Sequence, residues 1–308
     1  MPRMTPDQLY NEYRKGFSGC LWEQHVFDEL IESSKYAYFK DGAKKIKNSG
    51  KGKLSTPFKS VLKFDKNAYI ERQTTGDCVS HSTRNACDVT RAVEIDIKGD
   101  KESWVARGAT EAIYGARGHG GQGMSCSRAA TFVSQTGGVL VRKNYPGVAD
   151  FSKYNGSMGA KWGARGLPDK VIDEADNHQV RTVSLIRTVE EARDALANGY
   201  GLSVCSGYGF SNRRDSKGFS RKSGSWAHAM AWTACDDTGG EPAFLVQNSW
   251  GKWNDGGHPE WGPIPDGSFL IHADVAEGML RQNGAYAFSD FNGFPPQKLP
   301  DYGFVDYL

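Results

Sequence analysis

The order of patterns along the chain constrains its fold most strongly, because helical spacing of apolar residues comes first and strand-like runs come after it. Helical spacing and a Thr-x-x-Glu capping box predict helices in the middle of the chain, over 78–95, 103–116, 126–136 and 188–199. Short apolar or alternating runs bounded by glycine, aspartate and proline predict an antiparallel sheet, over 202–206, 229–234, 243–247, 268–271 and 285–288. Helices followed by strands indicate an α+β fold whose two halves meet at a cleft.

The first 70 residues form a basic N-terminal extension. Residues 1–70 carry 13 basic and 8 acidic side chains, a net charge of +5, against 25 and 28, a net −3, in the remainder. Apolar residues at helical spacing between Trp22 and Ile31 predict a short amphipathic helix. Six lysines and three glycines over 40–53 predict a flexible, solvated linker, with a docking arm for an anionic partner as the alternative.

The rest of the chain divides into a folded domain and a tail. We expect the domain to span 71–290, and the proline-rich and aromatic segment 291–308 to form an extended tail over its surface. The domain boundaries follow the change in composition rather than any internal repeat.

Overall composition excludes several classes of protein. The 308 residues are 38% hydrophobic and 24% charged, with a net charge of +2, so the bulk charge predicts neither nucleic-acid nor membrane binding. No apolar run approaches the ~20 residues that cross a bilayer, and the first residues lack the apolar region of a secretory signal. The six cysteines are widely spaced and include no CxxC pair. They are too sparse for a disulfide scaffold, and their spacing does not match a zinc ribbon. We therefore expect a protein of a reducing compartment, the cytoplasm.

A cysteine opens the first helix of the folded domain, in the segment Gly76-Asp77-Cys78. A thiol at a helix N-terminus faces unpaired backbone N–H groups and the positive end of the helix dipole, which favour the nucleophilic thiolate. Gln73, five residues upstream, offers side-chain N–H donors near the same helix end, where an oxyanion could be bound. A single cysteine is more often a small buried hydrophobe, so this segment alone does not define a site.

Two later segments supply the partners that a catalytic thiol needs. His228 stands at the start of an apolar, small-residue strand, and Asn248 ends the next strand in the sequence Asn-Ser-Trp-Gly. Adjacent antiparallel strands would bring the Asn248 amide oxygen to one ring nitrogen of His228, leaving the other nitrogen facing the thiolate. That arrangement is the logic of a Cys-His-Asn triad.

These segments resemble the papain-like cysteine peptidases over roughly residues 70–290. That family has a Gln before a Gly-x-Cys at a helix start, a later His-Ala, and then Asn-Ser-Trp-Gly. Here the Cys-to-His separation is 150 residues (228 − 78), and the family's guide is about 130–150. Trp261-Gly262, Gly267-Ser268-Phe269 and a glycine-rich segment before residue 124 match further elements of the family. The chain also looks like the divergent members found in phage and bacterial genomes.

The resemblance implies a two-lobed fold, with the nucleophile helix in a helical left lobe and an antiparallel β-sheet or barrel in the right lobe. It implies no metal or cofactor and gives roles to seven residues. Cys78 would be the nucleophile, His228 the base and Asn248 the residue that orients the base. Gln73 would be the oxyanion donor, Gly123 would bind substrate backbone, Met124 would line the main pocket and Trp250 would shield the His–Asn contact. Gln73 is one residue closer to the nucleophile than is usual in the family. The family's disulfide near these positions is absent on both sides, which fits a reducing environment.

The sequence thus predicts a peptidase that acts on polypeptides through an acyl-enzyme. Two alternatives stay open: a peptidoglycan endopeptidase that cleaves cell-wall cross-links, and a non-enzymatic structural component of a virus particle. In the second case the basic N-terminal extension would bind an assembly partner and the protein would be virion-associated. Residues 1–70 show no clear match to the family's inhibitory prosegment.

Overall fold

The computed structural model describes residues 19–34, 38–99 and 103–289. Its α-helices, in chain order, are α1 Gln24–Ser33, α2 Phe39–Gly42, α3 Phe58–Phe64, α4 Cys78–Asp96, α5 Glu111–Gly115, α6 Cys126–Thr131, α7 Gly156–Arg165, α8 Asp169–Asp176, α9 Val189–Ala197 and α10 Ala273–Leu280. Its strands are β1 Cys20–Leu21, β2 Leu54–Ser55, β3 Met124–Ser125, β4 Asn144–Tyr145, β5 Ala149–Asp150, β6 Thr182–Leu185, β7 Leu202–Phe210, β8 Arg213–Arg214, β9 Lys222–Asp236, β10 Ala243–Gln247, β11 Asp255–Gly256, β12 Ser268–His272 and β13 Ala285–Ser289. Elements of both kinds make it an α+β protein, as the sequence predicts.

One antiparallel sheet dominates the C-terminal half. Its strand order is β12-β10-β9-β7-β13-β6, with β2 also paired to β9. All five predicted strands are present in it, and the two longest, β7 and β9, extend beyond their predicted ends. The pairing of β10 with β9 sets Gln247 opposite Ala231, so the residues that follow β10 lie near the first half of β9.

Helix α4 packs against the sheet and is buried along 16 of its 19 residues. The alternation of side chains along β9 explains how one sheet serves two cores. Ala229 packs with Cys78 and Val79 of α4, whereas Met230 and Trp232 pack on the other side with residues of α9 and α10. The sheet therefore fixes the helix on one face while a separate apolar core holds the other face.

The capping box predicted at the start of α9 is present. Thr188 Oγ1 accepts the N–H of Glu191 at 3.2 Å, and Glu191 Oε2 accepts the N–H of Arg187 at 2.8 Å. Gly199, just beyond the helix, has a φ of +82°, the left-handed conformation that glycine adopts most easily. The amphipathic helix predicted in the N-terminal extension is also present as α1, with Val26 and Leu30 buried.

The predicted helix over 103–116 is wrong in its first half, since only α5 is helical there. The preceding residues pair with other parts of the chain instead. Gly108 N donates to both carboxylate oxygens of Asp88, at 2.9 and 3.0 Å, and Ala109 N donates to Leu140 O at 2.6 Å. These long-range bonds satisfy the backbone in an extended conformation, which helical spacing alone did not reveal.

Residues 40–53 are not the flexible linker that their composition predicts. They contain the end of α2 and a 3₁₀ turn, Lys44–Ile46, whose Ile46 is buried in the core beside α9. The Asp194 carboxylate accepts the backbone N–H groups of Asn48 at 2.6 Å and Gly50 at 3.2 Å. The lysine side chains reach solvent while hydrogen bonds and the buried Ile46 hold the backbone in place. The prediction of a flexible linker was wrong because a high lysine content did not exclude a fixed backbone.

Two further expectations concern the ends of the chain and its membrane association. The predicted tail, 291–308, lies outside the described residues. Among the residues that are described, no helix combines the length and apolar character needed to cross a bilayer.

Candidate active site

Cys78 lies at the amino-terminal end of α4, as predicted. The chain enters this helix through Gly76, whose N–H donates to Gln122 Oε1 at 2.6 Å. A Cβ on Gly76 would lie 2.6 Å from that oxygen and 3.0 Å from Gly123 N. The nearby backbone of Gly123 leaves little room for a Cβ, so glycine at position 76 favours the tight entry to the helix that positions the thiol.

His228 and Asn248 are brought together by the pairing of β9 and β10. His228 Nε2 lies 2.8 Å from Asn248 Oδ1, and the same oxygen accepts the N–H of Ser249 at 2.7 Å. An amide oxygen can only accept, so Nε2 carries the imidazole proton and Nδ1 keeps its lone pair. Among the described residues, Nδ1 is buried without a hydrogen-bond partner. The imidazole therefore presents a buried, basic nitrogen.

Aromatic side chains surround the imidazole and keep water from it. The Trp250 ring lies 4.6 Å from the His228 ring, centroid to centroid, and the Trp226 ring lies 6.1 Å away. Burial lowers the pKa of His228 to about 4; the hydrogen bond with Asn248 acts in the opposite direction, and His81 lowers the pKa further. At neutral pH the imidazole is thus unprotonated.

The Cys78 thiol is fully buried and lies beside β9. Burial raises the pKa of Cys78 to about 11, while hydrogen bonds from the backbone of Ala229 and of Gly19 oppose that rise. Because Ala229 directly follows His228, the sulfur lies next to the strand that carries the imidazole. With the thiol and the imidazole both buried, both groups are neutral at pH 7.

Strand β1 covers the thiol. It pairs in parallel with β3, and Met124 N donates to Gly19 O at 2.7 Å. A Cβ on Gly19 would lie 2.3 Å from Gly76 O and 2.9 Å from Gly123 Cα, so the chain fits there only as glycine. A segment of the N-terminal extension therefore occupies the place beside Gly123 where the sequence predicts substrate backbone.

Gln73 is buried near the other predicted residues, beside the Asn-Ser-Trp-Gly segment. Its backbone N–H donates to Ser249 O at 2.9 Å, and its side-chain Oε1 accepts the Ser249 hydroxyl. Its Nε2 donates to Thr75 O at 2.8 Å. The side chain is thus anchored on both sides of the helix start, with one amide hydrogen directed at the chain that leads to Cys78.

Met124, which the sequence predicts to line a substrate pocket, begins β3 and packs with residues of α4. It is fully buried, and its sulfur lies 3.9 Å from the Ser80 hydroxyl of α4. A cavity of about 300 Å³ adjoins β1, and its walls include Cys20, Trp22, Cys126, Cys205, Ala227 and Gln282. The walls of this cavity include none of the seven residues to which the family resemblance gives a role.

A disulfide joins Cys126 and Cys205, which the wide spacing of the cysteines did not predict. The Cys20 sulfur is close to both, and the three sulfur atoms lie within 4.8 Å of one another. They come from α6, β7 and β1, elements far apart in sequence. No local pattern signals such a cluster, because only the fold brings these residues together.

A buried network of charges holds the segment that leads to Cys78, and sequence analysis missed it as well. Arg142 donates to both carboxylate oxygens of Glu111, at 2.8 and 2.7 Å, and to both of Glu71, at 3.2 and 2.9 Å. Burial alone would raise the pKa of Glu71, but Arg84 and Arg142 hold it at about 2. Glu71, Glu111 and Arg142 are thus paired inside the helical half of the molecule.

Comparison with known proteins identifies the fold. No family model and no curated protein sequence matches the chain. The chain is similar to the solved structure of xylellain, a cysteine protease from Xylella fastidiosa, with 13% identity and a TM-score of 0.54 over 90% of this chain and 96% of that one. It is also similar to proCathepsin B S9 from Trypanosoma congolense, with 12% identity and a TM-score of 0.54 over 91% and 88% of the two chains. The fold is therefore papain-like, as the sequence motifs predict.

Proposed function

We propose that the protein is a cysteine peptidase that hydrolyses polypeptides through Cys78, His228 and Asn248. One observation carries the proposal: His228 Nε2 is bound to Asn248 Oδ1 at 2.8 Å while Nδ1 stays buried as an unprotonated base. The residue after His228 contacts the Cys78 sulfur through its backbone. We infer that these three residues act together as nucleophile, base and orienting group.

The proposed reaction begins with transfer of the Cys78 proton to His228 Nδ1. The thiolate attacks the peptide carbonyl carbon and forms the C–S bond; the C–N bond then breaks as the imidazolium protonates the leaving amine. Water, deprotonated by the same imidazole, attacks the acyl-enzyme and releases the carboxylic acid and the thiol. Asn248 keeps the ring oriented throughout, and Trp250 keeps water from their hydrogen bond.

The tetrahedral intermediate needs donors for its oxyanion. We assign this role to the backbone N–H of Cys78, at the helix N-terminus, together with the Gln73 amide, which would turn from Thr75 O toward the developing charge. Gly123 and the N–H of Met124 would bind substrate backbone once Gly19 leaves them. The peptidase is therefore active only when β1 is displaced.

The test is cleavage of casein by the reduced full-length chain, together with labelling by an epoxide-type cysteine peptidase inhibitor mapped by mass spectrometry. We expect label on Cys78, and we expect Cys78→Ala to reduce cleavage by a factor on the order of 10⁴ or more while the circular dichroism spectrum is unchanged. Cys235→Ala, at another buried cysteine, serves as the matched control and should keep cleavage and labelling.

Other outcomes would favour the alternatives. Clearing of purified cell walls without casein cleavage would replace the proposal with a peptidoglycan endopeptidase. Neither activity, with no preferential reaction of iodoacetamide at Cys78 in the reduced chain, would point to a structural component. A phage or bacterial origin, the cytoplasmic or virion-associated location and an assembly partner for residues 1–70 stay predictions.

A further inference from the structure

Three cysteine sulfurs meet where the two halves of the molecule face each other across β1. Cys126 begins α6 on the helical side, Cys205 belongs to β7 of the sheet, and Cys20 belongs to β1 between them. All three sulfur atoms lie within 4.8 Å of one another, and two of them form the disulfide. A third sulfur beside a disulfide is the arrangement from which thiol–disulfide exchange proceeds.

The backbone of β1 holds the third sulfur at that position. The parallel pairing sets Cys20 opposite Met124, and the bond from Met124 N to Gly19 O, at 2.7 Å, fixes the register. Cys20 also lines the 300 Å³ cavity together with both disulfide cysteines. A shift of β1 along the cleft would therefore separate the sulfurs, so their contact reports that β1 is seated.

We propose that Cys20 exchanges with the Cys126–Cys205 disulfide and thereby ties β1 covalently to one wall of the cleft, to α6 through Cys126 or to β7 through Cys205. The Cys20 thiolate attacks one sulfur of the disulfide, a new S–S bond forms to Cys20, and the old S–S bond breaks. The displaced cysteine leaves as a thiolate and takes up the proton that Cys20 lost. The number of S–S bonds stays at one, so the exchange consumes no oxidant or reductant.

The exchange adds a control to the cleft. With the bond on Cys20, β1 cannot leave Cys78 and Gly123 without breaking it; a dithiol reductant opens the bond, becomes oxidised to its own disulfide, and releases the strand. This regulatory consequence rests on the proposed peptidase function, whereas the exchange itself does not. Burial raises the pKa of Cys20, and the neighbouring Cys78 raises it further. The resting thiol is consequently protonated, and exchange with β1 in place is slow because it proceeds through the small fraction of thiolate.

The first experiment maps the bonds without reference to activity. The full chain carrying Cys78→Ser, which cannot cleave itself, is equilibrated in glutathione redox buffer, quenched with acid, and digested for mass spectrometry without reduction. We expect peptides joined through Cys20 to Cys126 or to Cys205, alongside the Cys126–Cys205 pair. In the same chain with Cys20→Ser added, only the Cys126–Cys205 pair should remain.

The second experiment measures the consequence at the nucleophile. In the chain that retains Cys78, we expect iodoacetamide to label Cys78 about tenfold more slowly in the oxidised than in the dithiothreitol-treated protein. Cys20→Ser should abolish most of that difference, and Cys87→Ala, a cysteine outside the cluster, should preserve it.

Two results would overturn the proposal. The absence of any Cys20-linked peptide across redox buffers, with the Cys126–Cys205 peptide recovered, would mean that no exchange occurs. An equal redox response of Cys78 labelling with and without Cys20 would mean that the tether does not involve this strand. Both results are distinct from a failure of the peptidase assay, because neither measurement depends on substrate cleavage.

Discussion

The two sides of the cleft are held in place by different forces. On the helical side, buried ion pairs of Arg142 with Glu71 and Glu111 fix the chain that enters α4. On the sheet side, the aromatic rings of Trp250 and Trp226 pack around His228, with ring centroids 5.0 Å apart. The chain that enters α4 thus depends on compensated charge, whereas the surroundings of His228 depend on the exclusion of water.

Because of this difference, the two sides should lose stability in different pH ranges. The pKa of Glu71 is lowered from its ordinary 4.5 to about 2, so its stabilisation is present above pH 4.5 and is lost as pH falls toward 2. The pKa of His228 is lowered from 6.5 to about 4, because the folded protein disfavours the imidazolium; stability is therefore lost as pH falls from 6.5 to 4. Acidification would weaken the sheet side first.

The largest expected effect breaks the charged side. Arg142→Ala leaves the buried Glu111 carboxylate without its arginine and removes one of three arginines around Glu71. It should cost about 3–5 kcal/mol in the free energy of unfolding, measured by urea denaturation at pH 7. Because the Glu71 pKa would rise without Arg142, the loss of stability between pH 4.5 and 2 should also be smaller in the variant. Arg281→Ala, at an exposed ion pair with Glu277, should cost less than about 1 kcal/mol. Equal losses of stability in Arg142→Ala and Arg281→Ala would contradict a stabilising role for the buried ion pairs.

A smaller effect tests the aromatic side. Trp250→Phe keeps an apolar ring but leaves space beside the imidazole, and should cost about 1–2 kcal/mol. Water reaching His228 should raise its pKa from about 4 toward 6.5, which an NMR titration of the ring protons would measure. Trp22→Phe, at an exposed tryptophan, is the control and should leave that pKa unchanged. An unaltered pKa in Trp250→Phe would show that other groups exclude the water.

A third effect concerns the strand between the two sides. Gly19→Val places a side chain where a Cβ would lie 2.3 Å from Gly76 O, so β1 must move away from the cleft. Overpacking costs about 1–3 kcal/mol, and we expect iodoacetamide to label Cys78 about tenfold faster in reduced protein. Gly239→Val, where a Cβ meets nothing within 4 Å, is the matched control. Unchanged labelling would mean that β1 is not what covers the thiol.

Much of the fold followed from local patterns. Five of the seven strands of the sheet, α4 and the capped start of α9 each follow a short-range pattern of apolar spacing or capping, and these were found where predicted. The His228–Asn248 contact could be anticipated because antiparallel neighbours place the end of one strand beside the start of the other. The structure also places Cys78 beside the backbone of Ala229, the residue after His228, although its catalytic role stays a proposal.

Other features depended on contacts that no local pattern encodes. The lysine-rich segment is fixed by Asp194, some 140 residues away, and the region before α5 is extended because Asp88 and Leu140 bind its backbone. In each case a distant partner overrode the local preference.

By itself, the sequence determined the order of helices and strands, the faces they bury and the residues that could meet at the cleft, since each follows from spacing along a few turns or one strand. Only the tertiary structure decided that Gly19 lies over Cys78, that Cys20 reaches the Cys126–Cys205 disulfide, and that Arg142 joins two buried carboxylates. Those contacts join residues that are tens to over a hundred positions apart. Contacts at such separations produce no periodic pattern in the sequence, so the sequence alone does not predict them.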